Sequence, residues 1–485
     1  MKPSLTLTAL GLLLGISLFS CKIADDPWID LFNGNDLEGW IASENAESFY
    51  VENGLIVADG PRSHLFYNGP VMDATFKNFE LKLEIMTTTN ANSGVYFHTG
   101  FQETGWPAKG YEVQVLNANA TNVDRIKTGS LYAVRNIYKP LGKDGEWFNM
   151  HIIVKGNRIQ AFVNGIQTID YTEPDNVEEV HRSPGRRLPS GTFALQCHGK
   201  DEKVYYRSIR VNPLPDDASM PPGKDYFPAE KQDMVTRLIG MGYPIIDYHV
   251  HLKGEVTVED IVDKGLRTGI FGSIAPNCGV GFPVDTNEKL EEFYQQYKDV
   301  PVFLAMQAEG REWVNTFEKA SIAKYDYVFT DAMTFSNGDG KRMRLWIDEE
   351  VEVGDPQEFM ELLVSTIENV LDEEKIDIYV NPTFLPSAIE DRYDELWTLP
   401  RMERVVDALV RNGIALEINA RYRLPGEAII KLAKARGVKF AFGTNNSDHD
   451  FANLDYCFEM IEACDIRPGD MFFPKPDGMK PIQVK

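Results

Sequence analysis

The sequence predicts a multidomain chain, an all-β sandwich followed by an α/β barrel, and three observations carry that reading. From residue 28 to 211 the chain consists of short alternating runs separated by turn residues, with almost no helical periodicity. After residue 243 apolar strand-like runs alternate with amphipathic helical ones, giving about seven βα units. Between them, Asn212-Pro-Leu-Pro-Asp-Asp-Ala-Ser-Met-Pro-Pro-Gly-Lys224 shows neither period and has the composition of a semi-rigid spacer. A length of 485 residues exceeds one ordinary core. The expected divisions are 1–20, 28–211, a linker at 212–230, and 231–485.

Residues 1–20 hold an early Lys2 and an apolar run from Leu5 to Phe19, too short and wrongly flanked for a spanning helix, so they read as a secretory signal. Leu18-Phe-Ser-Cys21 resembles a bacterial lipobox, which implies a lipidated Cys21 as the first mature residue; the alternative is a simple signal peptide with a chance cysteine. Lys22 after the cysteine, by analogy, favours the outer membrane, on its periplasmic or surface face. A membrane is then a partner only through the lipid anchor. Cys197, Cys278, Cys457 and Cys464 have no CxxC spacing and are expected as buried free thiols.

Lys and Arg number 49 against 73 Asp and Glu, a formal charge of -24. That balance excludes nucleic-acid backbones and anionic lipid surfaces as partners, and leaves neutral sugars and cations open.

Within the first half, Phe79-Glu-Leu-Lys-Leu-Glu-Ile85 alternates cleanly, as a half-buried strand does. Gly156-Asn157 separates Ile152–Lys155 from Arg158–Val163, and Asn164-Gly165 closes a second hairpin with residues that tolerate positive φ. Many antiparallel strands without helices make a sandwich or a jelly roll. Two of these strands carry polar chemistry. Gly110-Tyr-Glu-Val-Gln-Val115 sends Tyr111, Val113 and Val115 one way and Glu112 with Gln114 the other; Ser93-Gly-Val-Tyr-Phe-His98 puts Tyr96 with His98. Gln196-Cys-His-Gly199 adds His198 at the end of the apolar run Thr192–Leu195. A carboxylate, an imidazole, amides and an aromatic ring on one concave sheet could hold a sugar, or could be the ordinary solvent-facing residues of a sandwich.

Leu31-Phe-Asn-Gly-Asn-Asp-Leu-Glu-Gly-Trp40, Ser93-Gly-Val-Tyr-Phe, Gly110-Tyr-Glu-Val-Gln-Val-Leu, Thr128-Gly-Ser-Leu-Tyr132, Gly145-Glu-Trp-Phe-Asn149, Val163-Asn-Gly165 and Leu195-Gln-Cys-His-Gly199 occur in that order. Together they resemble the 3-keto-disaccharide hydrolase domain family over nearly all of residues 28–211. The resemblance implies a concanavalin- or glucanase-like jelly roll. It implies cleavage of 3-keto glycosides, in which the C3 ketone acidifies the C2 proton, a base removes it, and the C1 substituent leaves by elimination, with water able to add back. Carried onto this chain, Glu112 and His198 are base and acid in either order, and Tyr96, His98, Tyr111, Gln114 and Tyr132 hold the oligosaccharide or glycoside. His98 stands where the family leads one to expect a basic residue such as Arg, and Cys197 where it leads one to expect Asp.

The second half opens with Asp247-Tyr-His-Val-His251, two imidazoles two positions apart after an apolar run, the spacing of a metal clamp on a strand. Polar residues recur at strand C-terminal ends, where barrel active sites lie: Asn277, Gln307 and Glu309, Asp331, Asn381, Glu417 and Asn419, Asn445 and Asn446. Any one alone is an ordinary helix cap. This pattern resembles the polymerase-and-histidinol-phosphatase superfamily, and the amidohydrolase barrels open similarly. The resemblance implies a Zn²⁺ or Mn²⁺ site at His249, His251 and Glu309, with Asp331 as a further ligand and Asp247, Asn277, Asn381, Glu417, Asn419 and Asn445 around the mouth. Asn277 and Asn381 stand where that superfamily usually has His, which shrinks the expected site to one or two ions or to a retired site that binds without catalysing.

The sequence therefore predicts a lipid-anchored bacterial envelope enzyme that cleaves 3-keto glycosides, joined to a metal-dependent hydrolase-like domain. The alternatives are a carbohydrate-binding module tethering a phosphoester or amide hydrolase, and a non-catalytic glycan-binding surface lipoprotein. No Gly-rich nucleotide loop follows a strand, so no nucleotide cofactor is expected, and a separate sugar 3-dehydrogenase would make the ketone.

Overall fold

The computed structural model describes residues 26–118, 125–181, 185–337 and 340–484. Residues 1–20, expected as a signal segment, and Cys21 lie outside the described residues.

The first half is two antiparallel sheets packed face to face. One sheet runs in the order Ile166–Thr172, Arg158–Val163, Phe148–Lys155, Phe79–Thr87, Val204–Pro213, Leu55–Ala58, Phe49–Glu52, with Ile29–Asp30 also on Val204–Pro213. The other runs Trp40–Ala42, Ser63–Tyr67, Thr192–Cys197, Ser93–Thr99, Tyr111–Val115. In the first sheet alternation works as expected: Phe79, Leu81, Leu83 and Ile85 are buried against the partner sheet and Lys82 is exposed. The second sheet behaves differently. Every residue of Ser93–Thr99, Tyr111–Val115 and Thr192–Cys197 is buried, so both faces are covered and the polar face is enclosed rather than washed by solvent. Among the described residues the cysteines are Cys197, Cys278, Cys457 and Cys464, and all are buried and unpaired.

The proline-rich segment is docked rather than free. The last strand of the sandwich extends through Pro213, and beyond it Asn78 donates from Nδ2 to the carbonyls of Pro215 (2.8 Å) and Asp216 (3.1 Å), while Arg158 reaches the Pro221 carbonyl. Obligatory backbone acceptors thus find donors on the sandwich surface, which fixes a segment that composition alone marks as a spacer.

The second half is a curved parallel sheet in the order Ser273–Ile274, Phe303–Ala308, Tyr327–Thr330, Ile378–Tyr379, Ala415–Asn419, Phe440–Gly443, with Asn277–Cys278 also paired to Phe303–Ala308. Helices alternate with the strands. Val258–Thr268 starts on a capping box between Thr257 and Asp260 and stops at Gly269 in the left-handed region; Pro356–Glu373 starts on the Asp355 cap. The expected strand Tyr243–His249 is reduced to two parallel bridges, Ile246 to Phe271 and Asp247 to Phe442, which attach it to both ends of the sheet. Backbone hydrogen bonds run on past these bridges, from Asn445 to the His249 carbonyl (2.7 Å) and from Ala275 to the Val250 carbonyl (2.9 Å), while the Asp247 carboxylate takes the backbone N–H groups of His249 (3.3 Å), Thr444 (3.0 Å) and Ala452 (2.8 Å). Among the described residues no helix is long and apolar enough to cross a membrane.

The halves meet at the starting ends of the parallel strands. Ile137 and Tyr138, from a sandwich loop, join an apolar cluster with Phe271, Phe303, Tyr327 and Phe472. The Tyr138 ring lies 5.4 Å from Phe271 and 5.8 Å from Phe473, both edge-on. Around this plug Lys139 Nζ donates to the Val302 carbonyl (3.1 Å), and buried Arg135 donates from Nη1 to Thr236 Oγ1 (3.0 Å) and from Nε to the Arg267 carbonyl (3.3 Å). Asp170 of the sandwich pairs with both Arg158 (2.6 Å) and Arg267 (2.9 Å) across the junction.

Candidate active site

The enclosed polar face of the second sandwich sheet is the floor of a cavity of about 770 Å³. Strand register builds that floor. Tyr96 pairs with Glu112, and Gly94 with Gln114; on the other side Ala194 pairs with Tyr96, and Gln196 with His64. Glu112, Gln114, Tyr96 and Gln196 therefore share one patch, and the loops carrying Trp106, Tyr132 and Arg186 wall it.

Glu112 is held from two sides. Gln196 donates from Nε2 to Glu112 Oε1 (3.2 Å) and to the Tyr96 hydroxyl (3.1 Å). Burial pushes the Glu112 carboxyl above its ordinary value, and the Arg186 guanidinium and the Tyr96 and Gln196 hydrogen bonds oppose that rise. The floor leaves no room opposite it: a methyl group added at Gly94 would overlap Glu112 Oε1. Gln114 Nε2 is fixed by Asn92 Oδ1 at 2.9 Å. His198 is half-buried at the rim, its Nδ1 2.8 Å from Glu202 Oε2 and its ring 5.5 Å from Trp106. Trp106, 45% exposed, is braced by Arg62 over its face (5.1 Å) and by His64 edge-on (5.6 Å), so a flat apolar surface stands fixed in an otherwise polar opening. Arg186 lies over the Tyr132 ring (5.5 Å) and donates to the Tyr132 carbonyl (2.7 Å).

Of the seven sandwich residues expected at the site, five line this cavity: Glu112, His198, Tyr96, Gln114 and Tyr132. Two do not. His98 has φ of 53°, which breaks the alternation after Phe97; it packs on Phe79 (5.6 Å) with Nε2 2.9 Å from the Lys77 carbonyl. Tyr111 faces the interior, as its neighbours' alternation requires, stacks on Phe97 (5.8 Å), and donates its hydroxyl to Glu173 (2.6 Å). Cys197, the other departure, also faces inward, its thiol toward the Gly60 carbonyl. The cationic side chains lining the cavity are instead Lys109 and, over the Tyr132 ring, Arg186. Sequence reading missed them, together with Trp106, Asn92 and Gln196; of these only Gln196 sat inside a quoted motif.

Residues 27–212 match the family model of the 3-keto-alpha-glucoside-1,2-lyase-like domain. The match ties this part of the chain to a carbohydrate-related function, and every residue lining the cavity lies within the matched span. Similar solved structures include a protein provisionally named a glycosyl hydrolase from Parabacteroides distasonis, 23% identical, covering 39% of this chain and 94% of that one at a TM-score of 0.33. They also include the VIP36 exoplasmic/lumenal domain with Ca²⁺ and mannose (11% identical, 36% and 83% covered, TM-score 0.27) and the carbohydrate-binding module CBM66 from Bacillus subtilis (10%, 38% and 95%, 0.23). Overlaps this slight assign no chemistry. No curated protein matches the chain.

Beyond the matched span, the C-terminal ends of the parallel strands surround a second cavity of about 310 Å³, and no residue lines both. Asn277, Glu309, Asp331, Asn381 and Asn445 line it. Asn277 donates to Glu309 (2.7 Å), and Asn381 to Asp331 (2.8 Å). His249 and His251 are buried, rings 5.0 Å apart, with Nδ1 against Glu417 (2.7 Å) and the Ala275 carbonyl (2.8 Å) and Nε2 without a hydrogen-bond partner in either. Glu417 and Asn419 sit beneath the mouth rather than in it, Glu417 accepting from the Asn381 backbone (2.6 Å) and from Asn419 (3.1 Å). Gly443 makes room for this: a methyl there would overlap Glu417 and stand 2.7 Å from His249 Cβ. Asp247 is not a mouth residue; Thr444 and Ala452 consume its carboxylate. Among the described residues no group of three or more His, Cys, Asp and Glu side chains is arranged to hold a metal ion.

Proposed function

We propose that the N-terminal half cleaves the glycosidic bond of 3-keto glycosides. What supports this most is a buried carboxyl, Glu112, on the floor of a sugar-sized cavity that also holds a cation, Arg186, and a carboxylate-paired imidazole, His198. Glu112 takes the C2 proton, which the neighbouring ketone acidifies. Electrons pass into an enolate, whose charge Arg186 offsets. As the C1–O bond breaks, His198, oriented by Glu202, gives its proton to the departing oxygen. The product is a 1,2-unsaturated keto sugar and the free aglycone, and addition of water across the double bond completes hydrolysis. Trp106 takes the apolar face of a sugar ring, and Gln114, locked by Asn92, takes hydroxyls. A separate sugar dehydrogenase supplies the ketone, and the lipidated Cys21 holds the chain at the bacterial envelope. Turnover of a 3-keto disaccharide by the Glu112→Gln chain is the test: an undiminished rate removes Glu112 as the base.

For the second half we read the parallel sheet as a barrel of seven βα units, closed through residues 246 and 247. Because Nδ1 of His251 faces a carbonyl, it carries the proton, which leaves a buried lone pair on Nε2. His249 Nδ1 faces the Glu417 carboxylate, and its Nε2 is likewise buried without a hydrogen-bond partner. These two ring nitrogens would supply half of the donors a Zn²⁺ or Mn²⁺ ion takes; among the described residues no third such side chain is placed to join them, so Glu309 or Asp331 would have to swing in to complete the set. Bound there, such an ion would activate water or polarise an oxygen. Metal content of the full-length protein, with and without His249→Ala, tests this reading.

A further inference from the structure

We propose that the mouth of the parallel sheet is a second carbohydrate site, built for one neutral sugar ring. This goes beyond the cleavage assigned to the sandwich and needs no metal.

Size argues first. At about 310 Å³ the mouth has less than half the volume of the 770 Å³ sandwich cavity and stands at the lower edge of the small-molecule range. Where the larger cavity accepts a disaccharide, this one accepts a single ring.

Chemistry argues next. Trp346, 41% exposed, lines the opening together with the apolar side chains Phe282 and Met333. Tyr422 lines the same cavity, pinned edge-on by Phe384 (5.1 Å) and covered on one side by Arg421 (5.2 Å). The uncharged polar groups of the lining are mostly amides. Asn277 and Asn445 each spend one N–H within the protein, on Glu309 and on Asn381. Gln307, 4% exposed, lines the cavity with a carbonyl oxygen that no protein donor reaches. An acceptor left so is an unmet hydrogen-bonding demand, which a small turn of the amide toward the cavity lets a ligand O–H satisfy. Amides that both give and take, with aromatic faces on the outside, suit a ligand whose groups are hydroxyls on an apolar ring skeleton.

Charge then narrows the class. The lining holds two cationic side chains, Lys253 and Arg421, and two carboxyls, Glu309 and Asp331. Arg421 is further committed to the Asn445 carbonyl (3.1 Å). Both signs of charge are thus present around the opening, which disfavours a ligand of high charge of either sign.

The floor of the parallel sheet is sealed by Tyr138, so a ligand enters from the strand C-terminal side, away from the sandwich. A monosaccharide released by the sandwich therefore reaches the mouth through solvent.

The experiment is calorimetric titration of the full-length chain with glucose, galactose and mannose, repeated on Trp346→Ala and Trp106→Ala. The expected result is one monosaccharide equivalent, kept by Trp106→Ala and weakened at least tenfold by Trp346→Ala and by Gln307→Leu. Lack of heat with all three sugars, loss through Trp106→Ala instead, or tenfold tighter binding of glucose 6-phosphate or glucuronate would overturn the proposal. Turnover of a 3-keto disaccharide is assayed in parallel. A chain that cleaves but takes no sugar at Trp346 refutes only the mouth site, and one that binds there but does not cleave refutes only the sandwich reading.

Discussion

Gly94 and Glu112 lie on neighbouring strands so close that only a hydrogen fits at Gly94: a methyl group there would occupy the position of Glu112 Oε1. Gly94→Ala is therefore expected to displace the carboxyl while leaving the sheet intact, because the clash is with the far end of a side chain. Misplacing a reacting group by about 1 Å costs on the order of 100-fold in rate. We expect that loss in kcat/KM on a 3-keto disaccharide with a melting temperature near that of the native chain; full activity would contradict the placement of Glu112 at the reacting carbon.

The pH profile follows from the same carboxyl. Burial raises Glu112 above its ordinary value and Arg186 opposes the rise. A base must be ionised, so activity falls as pH drops through that raised value. Removing the opposing charge in Arg186→Met raises the carboxyl further and moves the acidic limb to higher pH, whereas Arg186→Lys keeps it close to the native position. A limb that stays put in Arg186→Met would dissociate this titration from Glu112.

His198 depends on Glu202 for its orientation, 2.8 Å away. Glu202→Gln weakens that hold, and the expected effect is a fall in kcat of roughly 10- to 100-fold with KM nearly constant. Trp106→Ala should do the reverse, raising KM about tenfold through loss of a stacking surface, with kcat largely kept. Steady-state kinetics on one substrate separates the two.

Asp377 gives a stability test unconnected with catalysis. Burial pushes its carboxyl from 3.8 up to about 6; one oxygen takes the Val328 N–H (3.0 Å) and the other has no partner. Because the folded value lies above the unfolded one, the folded state holds the extra proton, and its stabilising contribution is complete below about pH 4 and lost as pH rises through about 6. At roughly 1.4 kcal/mol per unit, the cost above pH 6 reaches at most about 3 kcal/mol. Asp377→Asn should raise the melting temperature at pH 7.5 and leave it nearly unchanged at pH 4; equal shifts at both would exclude titration as the cause.

Tyr138→Ala empties the plug between the halves. Truncating a buried aromatic residue costs about 3–5 kcal/mol, and here the loss falls at a junction. Calorimetry should show one cooperative transition in the native chain resolving into two in the variant.

Much of this was legible in the sequence, and the failures have local causes. Phe79–Ile85 was readable because one face meets the core and the other meets water. Glu112 and Gln114 were readable by the same alternation. His98 was not, because a single positive φ turns it over, and nothing in its flanking residues announces that conformation. Arg186 and Trp106 come from loops, which have no period to read. The pair His249 and His251 does converge, but through an irregular segment: Asp247, expected around the mouth, is captured by Thr444 and Ala452 about 200 positions away. Contacts of that range leave no mark on a single sequence.

The loop carrying Ile137 and Tyr138 also bears on how this chain can be taken apart. The segment after Pro213 looks like the natural place to cut. A C-terminal fragment made that way would present Phe271, Phe303 and Phe473 to water at an open base, an apolar patch that invites aggregation. An inactive fragment would then report a missing stopper rather than a missing function, and the smallest piece on which the second half can be judged includes the loop that another domain lends it.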